Sequence, residues 1–198
     1  MKISSIALFC GSATGTNPLY AQLASRFGQM CAEKGLTLYY GGGSIGLMGE
    51  AANAAMAHGG TVIGVAPDFF KKGQVLADNI TEMIYVKTMS ERKQRKQLLE
   101  SRADAFVVLP GGYGTMDELF EIITDAQLGM HTKPVALFNP NGFYDLLIAQ
   151  LQRFCDEGFL RLFHHELLIS ANTLEELFTG LDNYQNSNDR SWLEKVRK

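Results

Sequence analysis

Cysteine is scarce in this chain: Cys10, Cys31 and Cys155 are three in 198 residues, an odd set with no CxxC pair. That excludes a disulfide framework or a thiolate zinc site as the organising device. Long apolar runs are missing too. None approaches the roughly 18 residues of a membrane helix, so no membrane partner is expected. A basic surplus is absent, since Lys+Arg 18 against Asp+Glu 21 leaves a net charge of -3. This balance argues against a nucleic-acid partner. Neither GxxxxGK with a following Ser or Thr nor HExxH occurs, which removes P-loop NTPases and zinc hydrolases of that type. The apolar stretch Ile6 to Cys10 is shorter than the ~7–15 residues of a signal-peptide core and reads as a buried strand. Together these absences point to a reduced, soluble, cytoplasmic domain.

Glycine, by contrast, is plentiful at 20 residues, and it falls in a pattern. Short apolar runs end in glycine or proline: Ile6 to Cys10, Leu36 to Tyr40, Thr61 to Val65, Ala105 to Leu109 and Pro134 to Phe138. Each is apolar on both faces, as a strand covered on both sides requires. Between them apolar residues recur at three and four, as in Leu19, Leu23, Phe27, Met30 and Cys31, closed by Gly35. Further helices fit Leu47 to His58, Ser90 to Arg102, Met116 to Leu128 and Tyr144 to Asp156. Strand alternating with helix implies a single α/β domain with a doubly wound, mostly parallel sheet. The domain is expected to span residues 1–182, with a polar tail over 183–198. Ligands of such sheets bind beyond the carboxyl ends of the strands, where the glycine turns lie.

Three motifs carry the chemistry. Gly41-Gly-Gly-Ser-Ile-Gly46 fits both a dinucleotide fingerprint and, through Ser44, the GxSxG of a serine hydrolase. A plain glycine turn that admits close packing or a phosphate is favoured over either. Leu109-Pro-Gly-Gly-Tyr-Gly-Thr-Met-Asp-Glu118 leaves a strand and enters a helix, so its N–H groups converge where an anion would sit. Thr115-x-x-Glu118 also has the form of a capping box, which accounts for part of the pattern without any chemistry. Thr88-Met-Ser-Glu-Arg92-Lys93 has that form too, and it places Arg92 and Lys93 in the first turn of a helix on the same ligand edge. There Arg92 suits a phosphate or carboxylate clamp. Acids after the second glycine loop, Asp117, Glu118, Glu121 and Asp125, are better acid–base candidates than the four histidines.

Cys10-Gly-Ser12, the loop Gly41 to Gly49, Met89-Ser-Glu-Arg-Lys93 and Pro110 to Glu121, in that order, resemble the Lonely Guy family. Its members are cytokinin riboside 5'-monophosphate phosphoribohydrolases, often labelled lysine decarboxylase-like. The resemblance implies a Rossmann-like homodimer that cleaves the N-glycosidic bond of N6-modified adenosine 5'-monophosphates, AMP included as a candidate, to free base and ribose 5-phosphate. By position it makes Arg92 and Glu118 the catalytic pair. It gives Gly111, Gly112, Gly114 and Thr115 to the phosphate with Lys93 alongside, and puts Gly11, Ser12, Gly43, Tyr113, Met116, Asp117 and Glu121 around a small-molecule nucleoside 5'-monophosphate. No cofactor or metal is expected, because no recognisable Schiff-base lysine accompanies the decarboxylase label. Two departures stand out. Gln74, eighteen positions before Arg92, replaces a substrate-contacting glutamate, and Asp117 stands where Glu is commoner. The alternatives are a nucleotide-binding protein without turnover and, more distantly, a serine hydrolase through Ser44.

Overall fold

The computed structural model describes residues 2–68, 70, 76–87 and 91–186, the side chains of residues 91–93 excepted. Its strands are β1 (Ser5–Phe9), β2 (Thr37–Tyr40), β3 (Thr61–Pro67), β4 (Glu82–Val86), β5 (Ala105–Val108), β6 (Val135–Phe138) and β7 (Leu168–Ala171). Helices α1 (Pro18–Glu33), α2 (Gly46–Ala57), α3 (Glu91–Arg102), α4 (Tyr113–Leu128), α5 (Asp145–Asp156), α6 (Leu162–His165) and α7 (Leu174–Asp182) connect them. The strands form one sheet in the order β4-β3-β2-β1-β5-β6-β7, every pairing of which is parallel. This is a Rossmann-like, doubly wound α/β fold. No helix among the described residues is long and apolar enough to cross a membrane.

Pleating sorts each central strand between two cores. Ile6 and Leu8 of β1, with Ala105 and Val107 of β5, join the cluster beneath α1, α2 and α7. Ala7, Phe9, Phe106 and Val108 point the other way, toward α3, α4 and α5. A strand buried on both faces reads as a continuous apolar run, which is why these were legible. α1 starts where Asn17 Oδ1 accepts from Leu19 N at 3.0 Å with Pro18 in the first turn. It crosses α2 at Gly28, whose backbone lies against Ala51, with Ala52 and Ala55 also buried in that core. Small residues let the two helix backbones approach this closely.

At the amino ends of the strands a polar knot ties β1 to the α3–β5 turn. Asp104 accepts from Ser4 N (2.9 Å), Ser4 Oγ (2.6 Å) and Ser5 Oγ (3.0 Å). Burial alone would raise its pKa, but these hydrogen bonds outweigh it and hold the carboxyl below its ordinary value. The opposite end of the sheet carries the site. The chain winds outward from β1 through β2 and β3 to β4, then returns to start β5 on the other side of β1. A crevice opens there, beyond Phe9 and Val108.

Candidate active site

Three loops meet at this crevice and are stitched by main-chain hydrogen bonds. Leu109 N donates to Phe9 O (2.9 Å), Gly11 N to Pro110 O (2.9 Å) and Leu47 N to Gly11 O (3.1 Å). They enclose a cavity of about 750 Å³. One side is polar: Gly11, Ser12, Gly112, Tyr113, Gly114, Thr115, Asp117, Glu118 and Arg95. The other is largely apolar, with Ile45, Met48, Pro67, Phe70 and Leu76 beside Gly41 and Gly43.

The N-terminus of α4 forms the anion-seeking part. Gly112 is its N-cap and supplies no side-chain hydrogen bond, and the first intrahelical bond runs from Met116 N to Gly112 O at 3.0 Å. The N–H groups of Tyr113, Gly114 and Thr115 therefore have no acceptor within the helix and suit an oxyanion in the cavity. This corrects the capping-box reading of Thr115-x-x-Glu118. The helix begins before Thr115, whose buried side chain packs against Gly111 instead. A Cβ on Gly111 would overlap Thr115 Oγ1, so protein packing demands glycine there. At Gly112 and Gly114 a Cβ would meet no protein atom within 4 Å. Glycine at those two positions keeps space open for a ligand. Gly114→Ala is expected to leave the fold intact, since alanine favours a helix by up to ~1 kcal/mol over glycine. The methyl should raise KM for a monophosphate substrate about tenfold, as initial-rate kinetics beside a thermal melt would show.

Glu118 stands at the base of the cavity, 9% exposed, and accepts a hydrogen bond from Arg95 Nη2. Burial pushes its carboxyl pKa up, against the opposing pull of the Arg95 guanidinium. Arg95 Nη1 lies 3.0 Å from the point a Cβ on Gly41 would occupy, so the guanidinium is sandwiched between the β2 turn and Glu118. Its neighbour Lys96 bonds Asp117 at 2.8 Å and Glu121 as well. Cys10 lines the cavity beside them, its thiol kept protonated by burial and by the Glu118 charge.

The structure thus brings Gly11, Ser12, Gly43, Gly112, Tyr113, Gly114, Thr115, Asp117 and Glu118 to one cavity. Met116 is not among them, because it packs on the core beneath β1 and β5. Glu121 is turned to Lys96 rather than to the cavity. Arg92 and Lys93 lie in the first turn of α3 with side chains outside the described part, and Gln74 and Thr88 fall outside the described residues. Among the described side chains, the arginine that meets Glu118 is Arg95. Sequence reasoning passed over it although Arg92-Lys93-Gln94 is repeated at once as Arg95-Lys96-Gln97, offering two equivalent pairs. The serine-hydrolase alternative gains no support at this cavity. Ser44 is absent from the cavity lining, and both ring nitrogens of His131 are taken by the main chain of Ile122 and Lys133.

A family described as "Possible lysine decarboxylase" matches residues 48–181. The chain is 40% identical over 184 residues to the cytokinin riboside 5'-monophosphate phosphoribohydrolase LOG7 of Arabidopsis thaliana, covering 93% of this chain and 83% of that protein. The chain belongs to the Lonely Guy family. A second Lonely Guy relative, LOG2 of the same plant, is 40% identical over 184 residues, 93% of this chain and 85% of its own. Among solved structures, the molybdenum cofactor binding protein of Rippkaea orientalis superposes with a TM-score of 0.65 at 20% identity, covering 100% of this chain and 99% of its own. The Moco carrier protein of Chlamydomonas reinhardtii gives 0.65 at 22% identity, over 91% and 96%. Those likenesses establish the fold alone. The decarboxylase label would require a lysine free to form a Schiff base with pyridoxal phosphate. Among the described residues no lysine lines the cavity, and Lys96, which pairs with the lining residue Asp117, is held by two carboxylates and does not fit that use.

Proposed function

We propose that this protein hydrolyses the N-glycosidic bond of N6-modified adenosine 5'-monophosphates. The observation that carries the reading is the buried Arg95–Glu118 pair facing the free N–H groups of α4 within one cavity. The 5'-phosphate sits on the N–H groups of Tyr113, Gly114 and Thr115, with the Thr115 hydroxyl as a further donor. This anchors the ribose so that C1' falls near Glu118, and binding energy remote from the bond positions the reacting carbon. The apolar side of the cavity takes the base. As the C1'–N9 bond breaks, the Glu118 carboxylate stabilises positive charge on the ribosyl ring and orients a water. The water oxygen joins C1', one of its protons ends on the base, and ribose 5-phosphate leaves with a free hydroxyl. Arg95 takes the place the family resemblance gave to Arg92.

The same reading includes a cytoplasmic homodimer, with residues 1–182 as the hydrolase domain and 183–198 as a tail. Exposed Tyr113, Phe120 and Leu128 mark an apolar line along α4 that a second copy would cover.

A product assay decides the matter. Purified protein is given isopentenyladenosine 5'-monophosphate, AMP and the dephosphorylated riboside, and free base and ribose 5-phosphate are measured. Base released from monophosphates and not from the riboside is the expected result. Tight AMP binding with no base from any substrate would replace the enzyme with a nucleotide-binding protein.

A further inference from the structure

α3 is strongly polar, yet it turns Arg95, Lys96 and Leu99 to the interior, residues three and four apart that share one helical face. Leu99 is buried in the core, as a helix anchor should be. Lys96 is the anomaly, its side chain only 14% exposed, because an ammonium is costly to bury unless it is paired. It has two partners. Asp117 and Glu121 are one turn apart on α4, and Lys96 Nζ bridges them, so α3 grips the turn that holds Glu118. Burial works against its charge, but the two carboxylates prevail and raise its pKa.

We propose that Lys96 is a positioning residue: by clamping Asp117 and Glu121 it fixes the turn of α4 that sets Glu118 against Arg95. The proposal rests on the hydrolase reading above and adds a residue that touches neither substrate nor water. Among the described residues, the charged and titratable groups facing Glu118 are Arg95 and Lys96 from α3, Asp117 beside it on α4, and the Cys10 thiol after β1. Arg95 and Lys96 hold the Glu118 proton affinity down, whereas Asp117 raises it. Without Lys96 only Arg95 is left to counter the repulsion from Asp117, and the grip on the helix turn is lost. A phosphate-binding lysine would behave otherwise, because its loss would weaken substrate binding and leave Glu118 untouched.

Lys96→Met separates the two. The acid limb of kcat/KM is expected to move up by about one pH unit, and kcat to fall about tenfold. KM for the monophosphate should change by less than about threefold. Lys96→Arg, which can still bridge two carboxylates, should restore both. A KM rise of about tenfold with an unmoved pH profile would overturn the proposal. Should Lys96→Met fail to fold, Glu121→Gln removes one arm of the clamp outside the cavity; a kcat loss at constant KM supports the proposal and unchanged kcat refutes it. The Glu118 carboxyl can also be titrated by 13C NMR, with Glu118→Gln giving the assignment. That measurement decides the role of Lys96 even if no substrate is hydrolysed, so failure of the hydrolase reading and failure of the clamp are told apart.

Discussion

Glu118→Gln is expected to reduce kcat by about a thousandfold while leaving the protein folded. The size follows from what the carboxylate is asked to do: loss of a single well-placed electrostatic group in a water-poor site costs roughly 10²–10³ in rate, and loss of water orientation adds to it. The fold is spared for two reasons. Glutamine keeps an oxygen that can accept from Arg95, so the guanidinium is not abandoned. It also removes a charge that burial disfavours, as the raised carboxyl pKa indicates. A melting temperature within about 5 °C of the parent is the expected companion result. Retained turnover on isopentenyladenosine 5'-monophosphate would remove Glu118 from the mechanism.

The largest effect on stability is expected at Gly28→Ala. A single methyl there would overlap the carbonyl of Ala51, a backbone atom that no rotamer change can move aside. The α1–α2 pair would have to separate along a seam that includes Ala51, Ala52 and Ala55, opening gaps against Phe27 and Cys31. Overpacking of this kind costs about 3 kcal/mol, which in a chain of this size lowers the melting temperature by roughly 10 °C. Thermal denaturation followed by circular dichroism measures it. A shift below about 2 °C would mean that the helices slide apart at no cost.

The five strands legible in the sequence are the inner ones, because burial on both faces writes an unbroken apolar run. β4 and β7 went unread for the matching reason: they are the edges of the sheet, and Glu82 and Ser170 leave the run mixed. α7 has a true capping box at Thr173 and Glu176, whereas Thr115 and Glu118 mimic one inside a helix already begun. Local spacing alone does not tell these apart; the position of the first free N–H does. In the site, the glycine loop and Glu118 were legible because they sit in one contiguous stretch. Arg95 was hidden by its own duplicate, since Met89-Ser-Glu-Arg-Lys93 drew attention to the first copy. Counted from Arg95, the eighteen-residue spacing that pointed to Gln74 falls on Ala77, which is buried and bonds its N–H to Gly42 O. The apolar residues Ile45, Met48, Phe70 and Leu76 carried no signal, because only the fold gathers them.

The two sides of the cavity are made of different material. Phosphate would be held chiefly by main-chain N–H groups, which every residue but proline possesses, while the base would face side chains. Point mutation in a lineage can therefore rewrite the base side readily and the phosphate side hardly at all. Descendants of such a chain would diverge in which nucleobase they accept long before any of them ceased to require a phosphate.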